Sequence, residues 1–415
     1  MTSVDGGRLL DGLRMLRTFG AHGAGVVRPT FSEQDMAARA WLRDRMSAAG
    51  LDASIDGVGN VFGRSPNDGP ALVLGSHSDT QPEGGWLDGA MGVMYAIEVA
   101  RSLAEDPETA GLAVDVAAWA DEEGTYTSCL GAKGFVGAVD AETLAAQNVD
   151  GESVSEALDR VGLAGVPHAR FDPARHVGYL EAHIEQGPSL EERGLRIGVV
   201  TSIVGIRGAT VAFTGEQNHA GTTPMARRRD AAVAMFQFGH LLQERMAAAA
   251  GPTSVWTIGR VTVEPGAPSI VPGSAELAVQ FRDQSDEVLQ RMLDAVVTTA
   301  EEVDGSVRVT VEPGHEPIAP TVMDADLRHH IGVAAERQAP GAWTEMPSAA
   351  GHDPMVLSHH LPCAMVFVPS IGGVSHDFAE DSHDADIVLG CRVLADATAT
   401  ILRDQESSRM NSRTE

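Results

Sequence analysis

The feature that most constrains this chain is an apolar run, Ala71-Leu72-Val73-Leu74, that ends in Gly75-Ser76-His77-Ser78-Asp79-Thr80 and is followed by Trp86-Leu87-Asp88-Gly89. An uninterrupted apolar run of this kind reads as a strand buried on both faces, as in sheets covered by helices. Its last residues then emerge at the carboxyl end of a strand, where open α/β sheets place their chemistry. One imidazole and two carboxylates stand there among small residues, a donor set suited to borderline divalent metals.

The pattern repeats along the chain. Ala113 to Ala118 is apolar and partly β-branched, and it ends in Trp119-Ala120-Asp121-Glu122-Glu123-Gly124. Gly178 to His183 reads as a further strand and runs into Glu181-Ala182-His183-Ile184-Glu185-Gln186-Gly187. The strand expected at Ala364 to Val368 precedes Ser370-Ile371-Gly372-Gly373-Val374-Ser375-His376-Asp377. Taken singly, each His or acid has an ordinary reading as a solvated or hydrogen-bonded side chain. Together, His77 with Asp88, Glu122 with Glu123, His183 and His376 form a set that suits one or two Zn²⁺, Mn²⁺, Co²⁺ or Ni²⁺ ions. Two ions need a bridging carboxylate and activate a shared water.

Between these motifs the chain reads as follows. Residues 7–26 and 33–50 carry helical spacing, short strands flank a Gly turn at 52–56 and 60–63, and Gly89 to Leu103 is helical. Near Gly208 the pattern changes to strand 210–214, helix 231–249, strands 254–263 and 274–282 joined through a Pro/Gly-rich loop, helix 286–303 and strand 307–311. That order, βαββαβ, is the ferredoxin-like split unit. After Ile318 the α/β pattern returns, with helices near 325–337 and 385–403 and a polar, frayed tail at 404–415. The expected organisation is an α/β domain with a mixed sheet, residues 1–207 and 319–415, carrying an inserted βαββαβ domain at 208–318.

Composition narrows the function classes. The 415 residues carry 30 Lys+Arg against 58 Asp+Glu, a net charge of −28 that opposes nucleic-acid and anionic-membrane binding. No apolar run approaches the roughly 18 residues of a membrane span, and the N-terminus shows no basic region ahead of an apolar core. Three Cys (Cys129, Cys363 and Cys391) form no metal-binding CxxC and suit a reducing compartment. The expectation is a soluble, cytoplasmic protein with no nucleic-acid or membrane partner.

The motifs also carry a family resemblance over nearly the whole chain. Gly75-Ser76-His77-Ser78-Asp79-Thr80, Gly84-Gly85-Trp86-Leu87-Asp88-Gly89, Asp121-Glu122-Glu123-Gly124, His183-Ile184-Glu185-Gln186-Gly187, Asn218-His219-Ala220-Gly221-Thr222-Thr223-Pro224-Met225, Gly351-His352-Asp353 and Gly372-Gly373-Val374-Ser375-His376 occur in the family's order. The chain resembles the di-metal aminoacylase/carboxypeptidase superfamily, and within it the branch of N-carbamoyl-L-amino-acid hydrolases, allantoate amidohydrolases and β-ureidopropionases. The resemblance implies a peptidase-like catalytic domain with the inserted unit as a dimerisation lid, two divalent ions per subunit and a homodimer.

It also implies roles. His77 and His183 would bind one ion, Glu123 and His376 the other, and Asp88 would bridge them. Asp79 would accept the second N–H of His77 and fix its tautomer. Glu122 would be the general base that takes a proton from the attacking water and delivers it to the leaving nitrogen. Neighbours on a regular strand face opposite ways, so the use of both Glu122 and Glu123 requires irregular backbone, with a strained or cis peptide expected at Asp121–Glu122. His219 would reach the partner subunit's site and donate to the scissile carbonyl oxygen. Arg282 would hold the substrate carboxylate with its guanidinium fork, and Gln186, Gly351 and His352 would line the substrate.

The chain departs from the family pattern in places. Ser269 stands where Asn is expected in the loop Pro265-Gly266-Ala267-Pro268-Ser269-Ile270-Val271-Pro272-Gly273, with shorter reach and without an amide's paired donor and acceptor. Asp377-Phe378 replaces an expected Ser-Pro, and Trp86 and Tyr126 reshape the pocket. The implied reaction is hydrolysis of the linear amide of an N-carbamoyl (ureido) amino acid to amino acid, CO₂ and ammonia. The alternatives are an N-acyl-amino-acid deacylase or dipeptidase on the same scaffold, which release amine without ammonia, and a catalytically silent binding module.

Overall fold

The computed structural model describes residues 3–303, 305–314 and 317–412. The chain divides into two compact units, Met1–Thr201 with Met323–Glu415, and Ser202–Val322. Within the second unit Ile206 and Ile318 exchange backbone hydrogen bonds of 2.9 Å each, so its entering and leaving segments pair at the ends of the 208–318 stretch singled out by sequence.

The first unit is built on a large mixed sheet. In spatial order its strands run Ile197–Ile203, Cys363–Val368, His176–Ile184, Ala71–His77, Ala113–Trp119, Val61–Arg64 and Asp52–Ile55, with Trp343–Ser348 beside the first of them. The four from Cys363–Val368 to Ala113–Trp119 are mutually parallel, and the flanking pairs are antiparallel. Every residue of Ala71–His77 and of Ala113–Trp119 is buried, as their apolar sequences require of central strands covered on both faces. The helix Ala90–Glu105 is buried along almost its whole length, and Asp384–Ser412 contributes Ile387, Val393, Leu394, Ala397 and Leu402 to the same core.

The second unit is a four-stranded antiparallel sheet in the order Val255–Glu264, Ser274–Asp283, Gly205–Thr214, Arg308–Pro313. Burial alternates along Ser274–Asp283 with the period of two that a one-sided sheet demands. The inward set, Val211, Phe213, Leu277 and Phe281, packs with Phe238 and Leu242 of helix Ala231–Ala249 and with Leu289 and Met292 of helix Asp286–Val303. The order along the chain is βαββαβ, as the sequence pattern predicts.

Local expectations fail where the cause is non-local. The first helix stops at Arg17, and the chain then turns into a short hairpin, Ala21–His22 against Gly25–Val26. The tail expected to fray from 404 instead continues the last helix to Ser412, and Arg409 donates to the Ala174 carbonyl at 3.1 Å. All three cysteines are free thiols and buried. No helix among the described residues is long and apolar enough to cross a membrane.

Candidate metal centre

The four parallel strands end along one edge of the sheet, and each delivers a candidate ligand there. His77 closes Ala71–His77, and Glu122 and Glu123 follow Ala113–Trp119. His183 lies one residue from the end of His176–Ile184, and His376 follows Cys363–Val368 through a short turn at Ile371–Gly373. Asp88 sits just ahead of the helix Ala90–Glu105. Residues separated by hundreds of positions meet because adjacent parallel strands share their carboxyl ends.

Asp88 is the centre of the arrangement. Its Oδ1 lies 3.0 Å from His183 Nε2 and 3.6 Å from His77 Nε2. Its Oδ2 lies 3.2 Å from His376 Nε2. Glu123 Oε1 stands 3.7 Å from His376 Nε2, and Glu122 Oε2 stands 3.7 Å from His77 Nε2. The donor atoms of His77, Asp88 and His183 lie within 4.8 Å of one another, as do those of Asp88, Glu123 and His376. Two candidate ligand groups therefore share one carboxylate, with Oδ1 nearest His183 and Oδ2 nearest His376.

The far edges of the imidazoles fix their tautomers. His77 Nδ1–H donates to the Asp79 carbonyl at 3.0 Å, and His183 Nδ1–H donates to the Ile184 carbonyl at 2.9 Å. Each Nε2 is then the acceptor nitrogen of its ring and stands on the Asp88 side, as a metal ligand requires, and that of His183 accepts the Gly89 N–H at 3.1 Å. This corrects the expected role of Asp79, whose backbone oxygen orients His77. Its carboxylate accepts the Glu123 N–H at 3.2 Å and lies 3.9 Å from Arg39 Nη2. The loop between 77 and 79 turns so that the carbonyl, and not the side chain, faces the ring.

The two adjacent glutamates are brought to one site by the backbone at Asp121. Its φ of 55° is left-handed, and its carboxylate accepts the N–H groups of Thr125, Tyr126 and Thr127 at 2.7, 3.0 and 2.8 Å. The irregular geometry expected here thus lies in a φ angle and not in a cis bond. Five described residues other than glycine have positive φ, and three of them (Asp121, Gln186 and His376) belong to this site. Strain concentrated in this way is a mark of functional sites.

Electrostatics agree with a cation site. Burial raises the Glu122 carboxyl well above the ordinary glutamate range, and the charges of Asp353, Glu123 and Asp79 raise it further against the opposing pull of His77. Glu123 is pushed up to about 7 by burial and by Asp88. Burial opposes the charge of His77, yet Glu122, Asp88 and Asp79 hold its pKa well above the usual value. Acids crowded into a dry pocket favour positive charge at its centre. Glu123 Oε1 is buried without a hydrogen-bond partner among the described residues, an orphaned acceptor of the kind a metal ion satisfies. The residues present therefore fit divalent metal ions.

Of the expected substrate residues, Gln186 lies at this centre: its amide donates to Asp88 Oδ2 at 3.2 Å and to Ser375 Oγ at 3.1 Å. His352 is 1% exposed, accepts or donates at Ser348 Oγ across 3.0 Å, and packs edge-on to His183 with 4.5 Å between ring centres. Burial, with the His183 charge, keeps the His352 pKa well below the usual value, so a neutral His352 ring packs against His183. Gly351 beside it is exposed. Phe378, the departure after His376, packs its ring 4.9 Å from His22 of the N-terminal hairpin.

His219, Ser269 and Arg282 belong to the second unit. His219 pairs with Ile270, and the Ser269 carbonyl accepts the Ala220 N–H at 2.9 Å. His219 Nδ1 accepts the N–H groups of Gly221 and Thr222 at 2.9 and 3.2 Å, which leaves the proton on an exposed Nε2. Arg282 is half-buried and donates to Gln280 Oε1 on the same strand.

Several residues escape a sequence reading. Arg28 and Arg39 are fully buried beneath the loops that carry the ligands: Arg28 Nε donates to the Ser78 carbonyl at 2.6 Å, and Arg39 Nε to Asp35 at 2.7 Å. Glu380 is buried beside the Asp88 loop. Nothing in their local sequence distinguishes them from surface charges.

A profile of Peptidase family M20/M25/M40 matches residues 73–400. An N-carbamoyl-L-amino acid amidohydrolase of Geobacillus stearothermophilus is 33% identical over 94% of this chain and 97% of its own length. An allantoate amidohydrolase of Escherichia coli (strain K12) is also 33% identical, over 92% of this chain and 95% of its own. The crystal structure of an amidase of the hydantoinase/carbamoylase family from Burkholderia phymatum superposes with a TM-score of 0.93 at 48% identity, covering 98% of this chain and 99% of that one. With the ligand constellation in place along the matched region, the chain belongs to the M20/M25/M40 peptidase family, in the branch of the N-carbamoyl-L-amino-acid and allantoate amidohydrolases.

Proposed function

We propose that this protein is a metal-dependent amidohydrolase that cleaves the linear C–N amide of an N-carbamoyl (ureido) amino acid, giving amino acid, CO₂ and ammonia. The observation that carries the reading is the Asp88 carboxylate, one oxygen facing His77 and His183 and the other facing His376 beside Glu123. His77 and His183 would hold one divalent ion and Glu123 and His376 a second, with Asp88 available to both; Zn²⁺, Mn²⁺, Co²⁺ and Ni²⁺ all suit this donor set. When bound, such ions polarise the carbamoyl oxygen and lower the pKa of a water.

The chain's own residues do the rest. Glu122, buried and raised in pKa, accepts the proton of the attacking water and passes it to the leaving nitrogen. Asp121 and Asp79 hold Glu122 and Glu123 side by side through the backbone contacts described above. His219, with its proton on Nε2, donates to the developing oxyanion. Arg282 pairs with the substrate carboxylate, and Ser269 and Gln186 contact the substrate's polar ends. His219 acts across a homodimer, with the inserted unit as the dimerisation and lid domain, and the enzyme works in the cytoplasm.

The test is incubation of Mn²⁺- or Co²⁺-loaded protein with N-carbamoyl-α-amino acids, β-ureidopropionate, allantoate, N-acetyl-amino acids and dipeptides, read by mass spectrometry and ammonia detection. Chelator-sensitive ammonia release from a ureido compound is the expected result. Amine release without ammonia would move the protein to deacylase or peptidase chemistry.

A further inference from the structure

Glu380 lies in the acidic stretch Asp377 to Asp381, yet it is 2% exposed. Its Oε1 accepts two backbone N–H groups, from Leu87 at 3.1 Å and from Asp88 at 3.0 Å. Its Oε2 accepts the Ser375 hydroxyl at 2.7 Å. Ser375 Oγ in turn accepts from the Gln186 amide, and the same amide donates to Asp88 Oδ2. One carboxylate, 292 positions from Asp88 in sequence, therefore joins the backbone that carries Asp88 to the residue immediately before His376.

The site is built around this contact. A Cβ at Gly85 would stand 1.9 Å from Glu380 Oε1, so only glycine lets the carboxylate reach the two amides. All three partners of Glu380 are neutral donors, and burying a carboxylate against neutral donors is costly enough to need a return. The two segments that Glu380 joins carry Asp88 and His376, whose Oδ2 and Nε2 stand 3.2 Å apart. Those atoms belong to different segments, and no regular secondary structure joins them.

We infer that Glu380 is a positioning residue that sets the separation of Asp88 from His376 and thereby the affinity of the ion held by His376, Glu123 and Asp88. The inference rests on the two-ion reading above. Partners of this kind, one bond removed from a ligand, change metal affinity by about 10–100-fold when removed.

The test is calorimetric titration of metal-free protein with Mn²⁺, with the melting temperature of the metal-free form measured alongside. Glu380→Ala is expected to weaken one of two binding events by about 10–100-fold and to leave the other within about threefold. Glu380→Gln keeps a carbonyl oxygen for the two amides and is expected to restore most of the affinity. Gly85→Ala, which displaces Oε1 while leaving Glu380 in place, is expected to reproduce the loss and to add little when combined with Glu380→Ala. A purely structural role predicts lower melting temperatures with unchanged affinities, and equal loss in the Ala and Gln variants; either result overturns the inference. Should Glu380→Ala not fold, Gly85→Ala decides on its own. Wild-type protein that binds no divalent ion overturns the two-ion reading itself, whereas wild-type affinities in the variants overturn only the role of Glu380.

Discussion

Gly89→Ala puts the geometry of the centre to a quantitative test. Gly89 has a φ of 62°, and a Cβ there would stand 2.4 Å from Cδ2 and Nε2 of His77 and 2.5 Å from Cε1. Ordinary contact between such atoms begins near about 3.5 Å, so the imidazole and the added methyl must separate by about 1 Å. The left-handed backbone adds a cost of about 1–3 kcal/mol for a residue with a side chain. Whether the ring retreats or the 88–89 backbone does, His77 and Asp88 no longer keep their 3.6 Å relation. Misplacement of about 1 Å at a reacting centre costs on the order of 10²-fold in rate. The assay is kcat/KM on the best ureido substrate, with bound metal counted by mass spectrometry. Gly239→Ala is the control, because a Cβ at that helical position meets nothing within 4 Å; it is expected to leave activity unchanged and to stabilise by up to about 1 kcal/mol. A Gly89→Ala enzyme with full metal content and kcat/KM within about threefold of wild type would refute the reasoning.

Further outcomes follow from the same contacts. Glu122→Gln is expected to lower kcat by about 10²–10⁴-fold while both ions stay bound, checked by steady-state kinetics and metal counting. His219→Ala is expected to lower kcat by about 10²–10³-fold, and mixing it with Glu122→Gln under subunit exchange should regain activity if His219 works across the dimer; failure to regain activity argues for action within one chain. Asp115 is buried and is held by Arg175 and His176: burial opposes its ionisation, but their hydrogen bonds outweigh it and keep its pKa below the ordinary 3.8. A carboxyl depressed in the folded state stabilises above its unfolded pKa, and that stability fades as pH falls through the folded value. Asp115→Asn should therefore lower the melting temperature by a constant amount from about pH 7 to about pH 4, and by less below that; a difference that grows on acidification would contradict the assignment.

Much of the site is legible in the sequence because ligands at the ends of buried parallel strands follow apolar runs directly. The chain passes from Leu74 to His77 and from Trp119 to Glu122 within a few residues, and the sheet supplies the convergence. Asp88 and His376 are also visible as motifs, although the 3.2 Å that joins them depends on segments far apart. The role of Asp79 was not legible, because a residue's name does not say whether its carbonyl or its carboxylate will face a neighbour. Glu380 and Arg39 were hidden for a related reason: a charge in a polar stretch reads as solvated unless the fold buries it. Helical spacing extends to residue 26, yet the first helix stops at Arg17 before the hairpin. The last helix runs past 403 because helix-forming polar residues prolong it, and they carry no apolar periodicity to announce themselves.

The bridging of two ions by one aspartate is the claim from which the mechanism descends. Electron paramagnetic resonance of Mn²⁺-loaded protein, calibrated by metal counting, tests it most directly. Two Mn²⁺ per chain with an exchange-coupled spectrum are expected, with loss of the coupling in Asp88→Asn. One ion per chain, or two ions with the spectrum of isolated Mn²⁺, would contradict it.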